Sequence, residues 1–330
     1  MPLDICDYEN SPWRTEFWRG RDYEDRAERI ALARMLPPSR GRRRLCEIGA
    51  GFGRLADFYS GYERVILLDY SRSMLRDARE QLFSSNTDHA SRITHPSTPL
   101  HSAQDASRFL FAAADLYSLP LADNALDTAI TVRVLHHVAD IPRAFAEIAR
   151  VTRPNGTYVL EHANKRHLKA ILRYMLSFGC PQDRRAPNPF ALEPYEFVKL
   201  NFDFHPRYIV ENLRAFNFAI QGKRAVSTFR VALLKRSIPA QILASFDGIL
   251  QSPISKLDLS PSIFLRAESR KPGAPALNDA LWRCPACHST DIAEARDGLT
   301  CRGCRRAYPI VDGIIDFKEP QESRGSDGQG

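Results

Sequence analysis

A chain of 330 residues with 44% hydrophobic side chains can bury one sizeable core and still carry an accessory module. Its 46 basic and 39 acidic residues leave a formal charge of +7, which suits an anionic ligand but falls well short of a nucleic-acid coat. No run of about 18 apolar residues occurs, and the acidic, proline-broken start lacks the basic-then-apolar pattern of a signal peptide, so a cytoplasmic protein is expected.

Residues 21–36 place Ala27, Ile30, Ala31, Leu32, Ala33 and Leu36 at helical spacing and stop at Pro37 and Pro38. A leading helix is expected there, within a lead-in of residues 1–40. Residues 42–48 read as a buried strand running into a glycine cluster, with a helix expected over 55–60. A strand (65–69) and a helix (71–83) follow, then a polar stretch, 84–107, that reads as a long exposed loop. Strand patterns recur at 109–114, 126–132 and 156–161, with a helix at 141–151. This alternation predicts an α/β fold with a mostly parallel sheet covered on both faces.

Beyond residue 161 the alternation loosens. Residues 165–178 form a basic, apolar helical segment, 180–204 is rich in proline and aromatics, and 206–216 reads as a helix. Two closing strands, 218–226 and 262–267, flank an apolar helical stretch at 231–250. Residues 41–270 thus read as the main domain, 271–280 as a linker, 281–318 as a small module and 319–330 as a flexible tail.

The segment Leu45-Cys46-Glu47-Ile48-Gly49-Ala50-Gly51-Phe52-Gly53 carries most of the chemistry. Its glycines let the backbone turn sharply and approach a ligand, and a following helix would offer its N-terminus to a carboxylate. Arg54 occupies the sixth position of a would-be dinucleotide fingerprint, where a small residue is needed, which disfavours NAD.

An acid followed by Gly-x-Gly-x-Gly resembles the first motif of the class I S-adenosylmethionine-dependent methyltransferases. The resemblance extends over residues 41–165 through Asp69, Ala114-Asp115-Leu116, the phrase at 119–127, and Leu135-His136-His137-Val138. It implies a Rossmann-like, doubly wound sheet of about seven strands and S-adenosylmethionine as cofactor. It also implies that Glu47, Gly49, Gly51 and Gly53 hold the methionine end, that Asp69 accepts from the ribose hydroxyls, that Tyr70 and Met74 lie beside the adenine with Asp115 near its amino group, and that Leu116 and Val132 also contact the cofactor.

A sulfonium methyl is already activated, so positioning supplies most of the acceleration. Where the acceptor must lose a proton, His136, His137, Glu161 and His162 are the candidate bases. No Asn-Pro-Pro-Tyr string follows the fourth strand, which disfavours exocyclic amine chemistry on nucleobases. The apolar, basic-edged segments 165–178 and 231–250 read as a lid over a small or lipid-like acceptor or a contact with a membrane surface, or else as segments that pack on the domain or form a dimer face. Arg19 and Tyr23 are further candidates to close over the cofactor.

Cys284, Cys287, Cys301 and Cys304 form two C-x2-C pairs separated by thirteen residues, the spacing of a structural four-cysteine zinc site, with His288 as the alternative to Cys287. The sequence after it resembles zinc modules attached to RNA- and protein-modifying methyltransferases, which makes an RNA methyltransferase the alternative reading. Its six basic and five acidic residues are no phosphate clamp, although Arg302, Arg305 and Arg306 make a local basic patch. A non-catalytic cofactor-binding module is a third reading.

Overall fold

The computed structural model describes residues 5–9, 17–39, 41–83, 107–176 and 187–322. The 84–107 stretch lies, except for its last residue, outside the described residues, as does most of the 319–330 tail. Helix α1 (Asp22–Met35) leads into strand β1 (Arg44–Ile48), β2 (Arg64–Asp69), helix α2 (Arg72–Phe83), β3 (Phe109–Ala113), β4 (Leu126–Thr131), α3 (Ile141–Val151) and β5 (Thr152–Ala163). These five strands pair in parallel in the order β3-β2-β1-β4-β5. They are near-continuous apolar runs because both faces are covered: all six residues of β4 are buried.

Helix α4 (Leu168–Leu176), a hairpin of β6 (Tyr195–Val198) and β7 (Asn201–Asp203), and α5 (Pro206–Ala215) come next. Then β8 (Phe218–Val226), α6 (Ala232–Ser237), α7 (Ala240–Ile254) and β9 (Ser262–Ser269) close the sheet, β9 lying antiparallel between β5 and β8. The mostly parallel α/β sheet expected from the alternation is present, and the seven strands implied by the resemblance are β1 to β5, β8 and β9.

Helix α3 shows why the pattern is local in origin. Asp140 caps it by accepting from Arg143 N at 3.0 Å, and Ile141, Ala144, Phe145, Ile148 and Val151 form its buried face. That face packs with Leu213 of α5 on one side of the sheet, while Leu32 of α1, Leu75 of α2 and Leu243 of α7 fill the other.

The cysteine-bearing module adds β10 (Ile292–Glu294), β11 (Gly298–Cys301), β12 (Arg306–Val311) and β13 (Ile314–Asp316). Strand β13 pairs in parallel with β3, Ile314 opposite Phe111 and Asp316 opposite Ala113. The module therefore extends the central sheet, and its Trp282, Tyr308 and Phe317 join the core on the α3 side. Residues 271–280 lie against the main domain, with Arg44 donating to the Asn278 carbonyl at 2.6 Å and Lys271 to the Ala149 carbonyl at 2.6 Å.

One sequence expectation fails locally. The helix expected over 55–60 is a four-residue 3-10 turn, Ala56–Tyr59, because the backbone from Gly49 to Leu55 is spent in successive turns. No α-helix N-terminus faces a ligand there. Among the described residues no helix is long and apolar enough to cross a membrane.

Candidate functional site

The strand order reverses between β1 and β4, and open α/β sheets bind ligands in the crevice above such a switch point. A cleft of about 230 Å³ lies there. Its lining includes Glu47, Gly49, Gly51, Asp69, Tyr70, Met74, Asp115, Leu116 and Val132, together with His136 and His137. Gly53 does not line it. Its φ of +75° and a Cβ position 3.0 Å from Ala78 make it a packing glycine beneath the turn.

Two glycines matter for different reasons. Gly49 has φ +75° and a Cβ there would stand 2.3 Å from Val134 Cγ2, so the turn cannot form with a side chain. Gly51 also has positive φ, at +54°, but nothing lies within 4 Å of its Cβ position, leaving open space where a ligand can approach backbone. Its N–H donates to Asp69 Oδ2 at 2.8 Å while Ser71 N donates to Oδ1 at 2.9 Å, so the Asp69 carboxylate locks the turn to the end of β2. Burial raises the Asp69 carboxyl, against the pull of those two N–H groups.

Glu47 is 3% exposed and its Oε2 has no hydrogen-bond partner. Burial pushes this carboxyl up to about 8. A buried carboxylate oxygen without a donor is costly, and on a residue that lines the cleft it is a place where a cationic group would be satisfied.

At the other end of the cleft, His137 is held by both ring nitrogens. Nδ1 lies 2.9 Å from the Leu200 carbonyl and Nε2 lies 2.7 Å from Tyr8 Oη. A carbonyl only accepts, and burial lowers the His137 imidazole, so the neutral ring carries its proton on Nδ1 and Nε2 accepts from Tyr8. His136 lies against it, with ring centroids 3.9 Å apart and the ring planes tilted by 46°. Burial first, then His137 and Arg133, hold His136 well below the ordinary histidine range, so it too is neutral.

Glu161 and His162 stand outside the lining. Glu161 accepts from Arg133 N at 3.0 Å and from Ser262 Oγ at 2.5 Å, and His162 is fully buried within β5. Tyr23 is likewise buried, donating to Asp247 and accepting from Phe229 N at 2.9 Å, and Arg19 is exposed.

The sequence did not assign to the cleft the residues that wall it from the N-terminal side, Cys6, Tyr8, Phe17 and Trp18, nor Arg54 and Arg133 from the core. Arg54 lies 4.1 Å from the Trp18 ring centre and pairs with Asp25 and Glu28; Arg133 pairs with the same Glu28. Arg133 has φ +60°, a strained conformation held by Glu28 and Glu161, which raise its guanidinium against the lowering effect of burial. Asp25 and Glu28, three apart on one face of α1, are the only local hint of this network.

The four cysteine Sγ atoms lie within 4.8 Å of one another, with Cys284 to Cys304 at 3.6 Å and Cys287 to Cys301 at 3.4 Å. Zinc–thiolate bonds of about 2.3 Å in a tetrahedron separate sulfurs by about 3.8 Å, whereas a disulfide needs about 2.05 Å. The cluster fits a structural zinc ion, with Tyr308 Oη 3.0 Å from Cys284 Sγ to donate to that thiolate. His288 is not part of it.

The module also reaches the cleft. Lys318 Nζ stands 4.3 Å from the Tyr70 ring centre, and Arg72, which follows β2, pairs with Asp316 at 2.8 Å.

Residues 46–160 match the family described as methyltransferase domain, and residues 249–313 match the family described as Trm112p-like protein. An uncharacterized 37.1 kDa transposon protein of Streptomyces fradiae is 34% identical over 115 residues, 35% of this chain and 27% of the relative. An uncharacterized chloroplastic methyltransferase of Arabidopsis thaliana is 29% identical over 160 residues, 48% of this chain and 41% of the relative. The chain thus spans well under half the length of these curated relatives. Among solved structures, an S-adenosylmethionine-dependent methyltransferase from Mesorhizobium loti superposes with a TM-score of 0.48 at 20% identity, covering 73% of this chain and 97% of that one.

Proposed function

We propose that this chain, which carries a methyltransferase domain with a Trm112p-like zinc module folded against it, transfers a methyl group from S-adenosylmethionine to a small or hydrophobic acceptor by in-line displacement. The observation that carries the reading is the unpartnered Glu47 Oε2, buried behind the open Gly51 turn and beside Asp69.

When bound, the cofactor supplies a methyl already activated on a sulfonium. The chain supplies the geometry. Glu47 is the acceptor for the ammonium group, Gly51 allows backbone contact with the methionine portion, and Asp69 keeps lone pairs for two ribose hydroxyls after serving Gly51 and Ser71. Tyr70, Met74 and Leu116 flank the adenine, with Asp115 near its amino group. Tyr8 and His137 form the proton path for an acceptor that must be deprotonated. An acceptor hydroxyl bonded to Tyr8 Oη passes its proton through that hydroxyl to His137 Nε2, the free base of the fixed tautomer.

The test is transfer of labelled methyl from S-adenosylmethionine to cell extract sorted into organic-soluble, small-molecule, protein and RNA pools. Label in the first two supports the reading. Asp69→Ala should weaken cofactor binding by about 1–3 kcal/mol in calorimetry, and an unchanged affinity removes Asp69 from the site. Label in RNA would select a second reading, an RNA methyltransferase, which the exposed Arg302, Arg305 and Arg306 of the zinc module favour. Binding without turnover on any pool would leave a non-catalytic module.

A further inference from the structure

Residues 165–176, which follow β5 at the C-terminal end of the sheet, contain the cationic side chains Lys165, Arg166, Lys169 and Arg173 and no acidic one. Helix α4 lies within them, and none of its nine residues is buried. Leu168, Leu172, Met175 and Leu176 fall on one stripe and are 50%, 50%, 62% and 86% exposed, with exposed Lys169 and Arg173 beside it. So short a helix does not hold in water on its own propensity, and α4 places no side chain in the core, so an outside surface is needed to cover its stripe.

The stripe continues onto the chain beside it. Tyr174 and Phe190 stand 6.1 Å apart, and Phe190, Phe197 and Val198 are exposed. Between α4 and the β6–β7 hairpin lies a cavity of about 270 Å³ lined by Lys165, His167, Arg173, Tyr195, Phe197 and Asp203. Lys165 donates there to the Glu193 carbonyl at 2.5 Å, and Arg173 has no ion pair among the described residues. The same hairpin supplies the Leu200 carbonyl that holds His137, so this surface borders the cleft.

We infer that α4 and the β6–β7 hairpin dock the chain onto an anionic lipid bilayer, with the cavity between them receiving a lipid phosphate. Within 165–176 the cations flank an apolar stripe without acids, the acids of this surface being Glu196 and Asp203 of the hairpin, and such a helix matches a surface that is apolar below and negative above. A protein groove would need no such charge bias. The docking stands independently of the methyl-transfer reading, whereas delivery of the acceptor from that bilayer to the cleft rests on it.

Flotation of the full chain with vesicles tests the docking. Vesicles of phosphatidylcholine with phosphatidylglycerol should carry the protein, increasing salt should release it, and phosphatidylcholine alone should leave it behind. Leu172→Asp and Arg173→Glu change exposed side chains, and each should lower the bound fraction roughly tenfold. Calorimetry with S-adenosylmethionine on the same variants separates the two readings: retained cofactor binding with lost flotation places the effect at the membrane face, and absent cofactor binding in the unsubstituted chain fails the methyl-transfer reading alone. Docking is overturned by no flotation with either vesicle, by flotation indifferent to both substitutions, by a dimer that Leu172→Asp splits, or by displacement of the protein from vesicles by single-stranded RNA.

Discussion

On the proposed reading, Glu47 is the residue on which the chemistry of the cleft turns. A carboxyl pushed up to about 8 from the ordinary 4.5 holds its proton in the folded chain across that interval and loses it in the unfolded chain. Its contribution to stability is therefore greatest below about pH 4.5 and declines as pH rises through 8. A cationic ligand group reverses the preference, because it pairs only with the ionised carboxylate. Binding of S-adenosylmethionine at pH 7 should expel a proton, so the heat measured in phosphate and in Tris should differ, and Glu47→Gln should abolish the difference. A heat independent of buffer in the unsubstituted protein would detach Glu47 from the ligand. Glu47 and Asp69 were legible in sequence because the glycine motif sets their register. Tyr8 was not, since it meets His137 across 129 residues, nor was the Glu28–Arg133 pair, separated by 105, because no local pattern encodes a partner so distant.

At the scale of elements, strands and helices were readable wherever hydrophobic period sufficed, as in β4 and α3, and not where tertiary contacts choose the conformation. The 3-10 turn after Gly53 and the β6–β7 hairpin belong to the second class. Helix α2 was readable, its observed start lying one residue from the expected one, but the group that caps it was not. Its first N–H groups, those of Arg72 and Ser73, are satisfied by the Glu9 carboxylate at 2.7 and 3.0 Å, from a segment far away in sequence. Burial opposes ionisation of Glu9, but these two donors outweigh it and hold its carboxyl below the ordinary range. Glu9→Ala should then cost about 1 kcal/mol in denaturant unfolding at neutral pH. With a depressed folded value the stabilisation is full above pH 4.5 and is lost as pH falls through that folded value, so the two proteins should converge in acid. A constant gap down to low pH would mean that Glu9 acts by packing rather than by charge.

Among the described residues every strand but the β6–β7 hairpin belongs to one sheet that begins in the zinc module and ends at β8, and this joins a metal site to a ligand cleft. The two C-x2-C pairs announced the metal, but nothing in the sequence announced that β13 would take the free edge of β3, since strand pairing across 200 residues leaves no periodic trace. The consequence is mechanical. Four thiolates within 4.8 Å repel one another without a cation, and the module has little core of its own beyond Trp282, Leu299, Tyr308 and Phe317. Removing zinc should loosen β10 to β13 together, freeing the β3 edge and withdrawing Lys318 from Tyr70 and Asp316 from Arg72. Those contacts brace the loop between β2 and α2, where Asp69 and Tyr70 face the cleft. A chelator that strips the metal, verified by elemental analysis, should therefore weaken S-adenosylmethionine binding about tenfold and promote aggregation through the bared edge. Unchanged affinity in a chain proven free of zinc would show that the module and the cleft share a sheet without sharing its energetics.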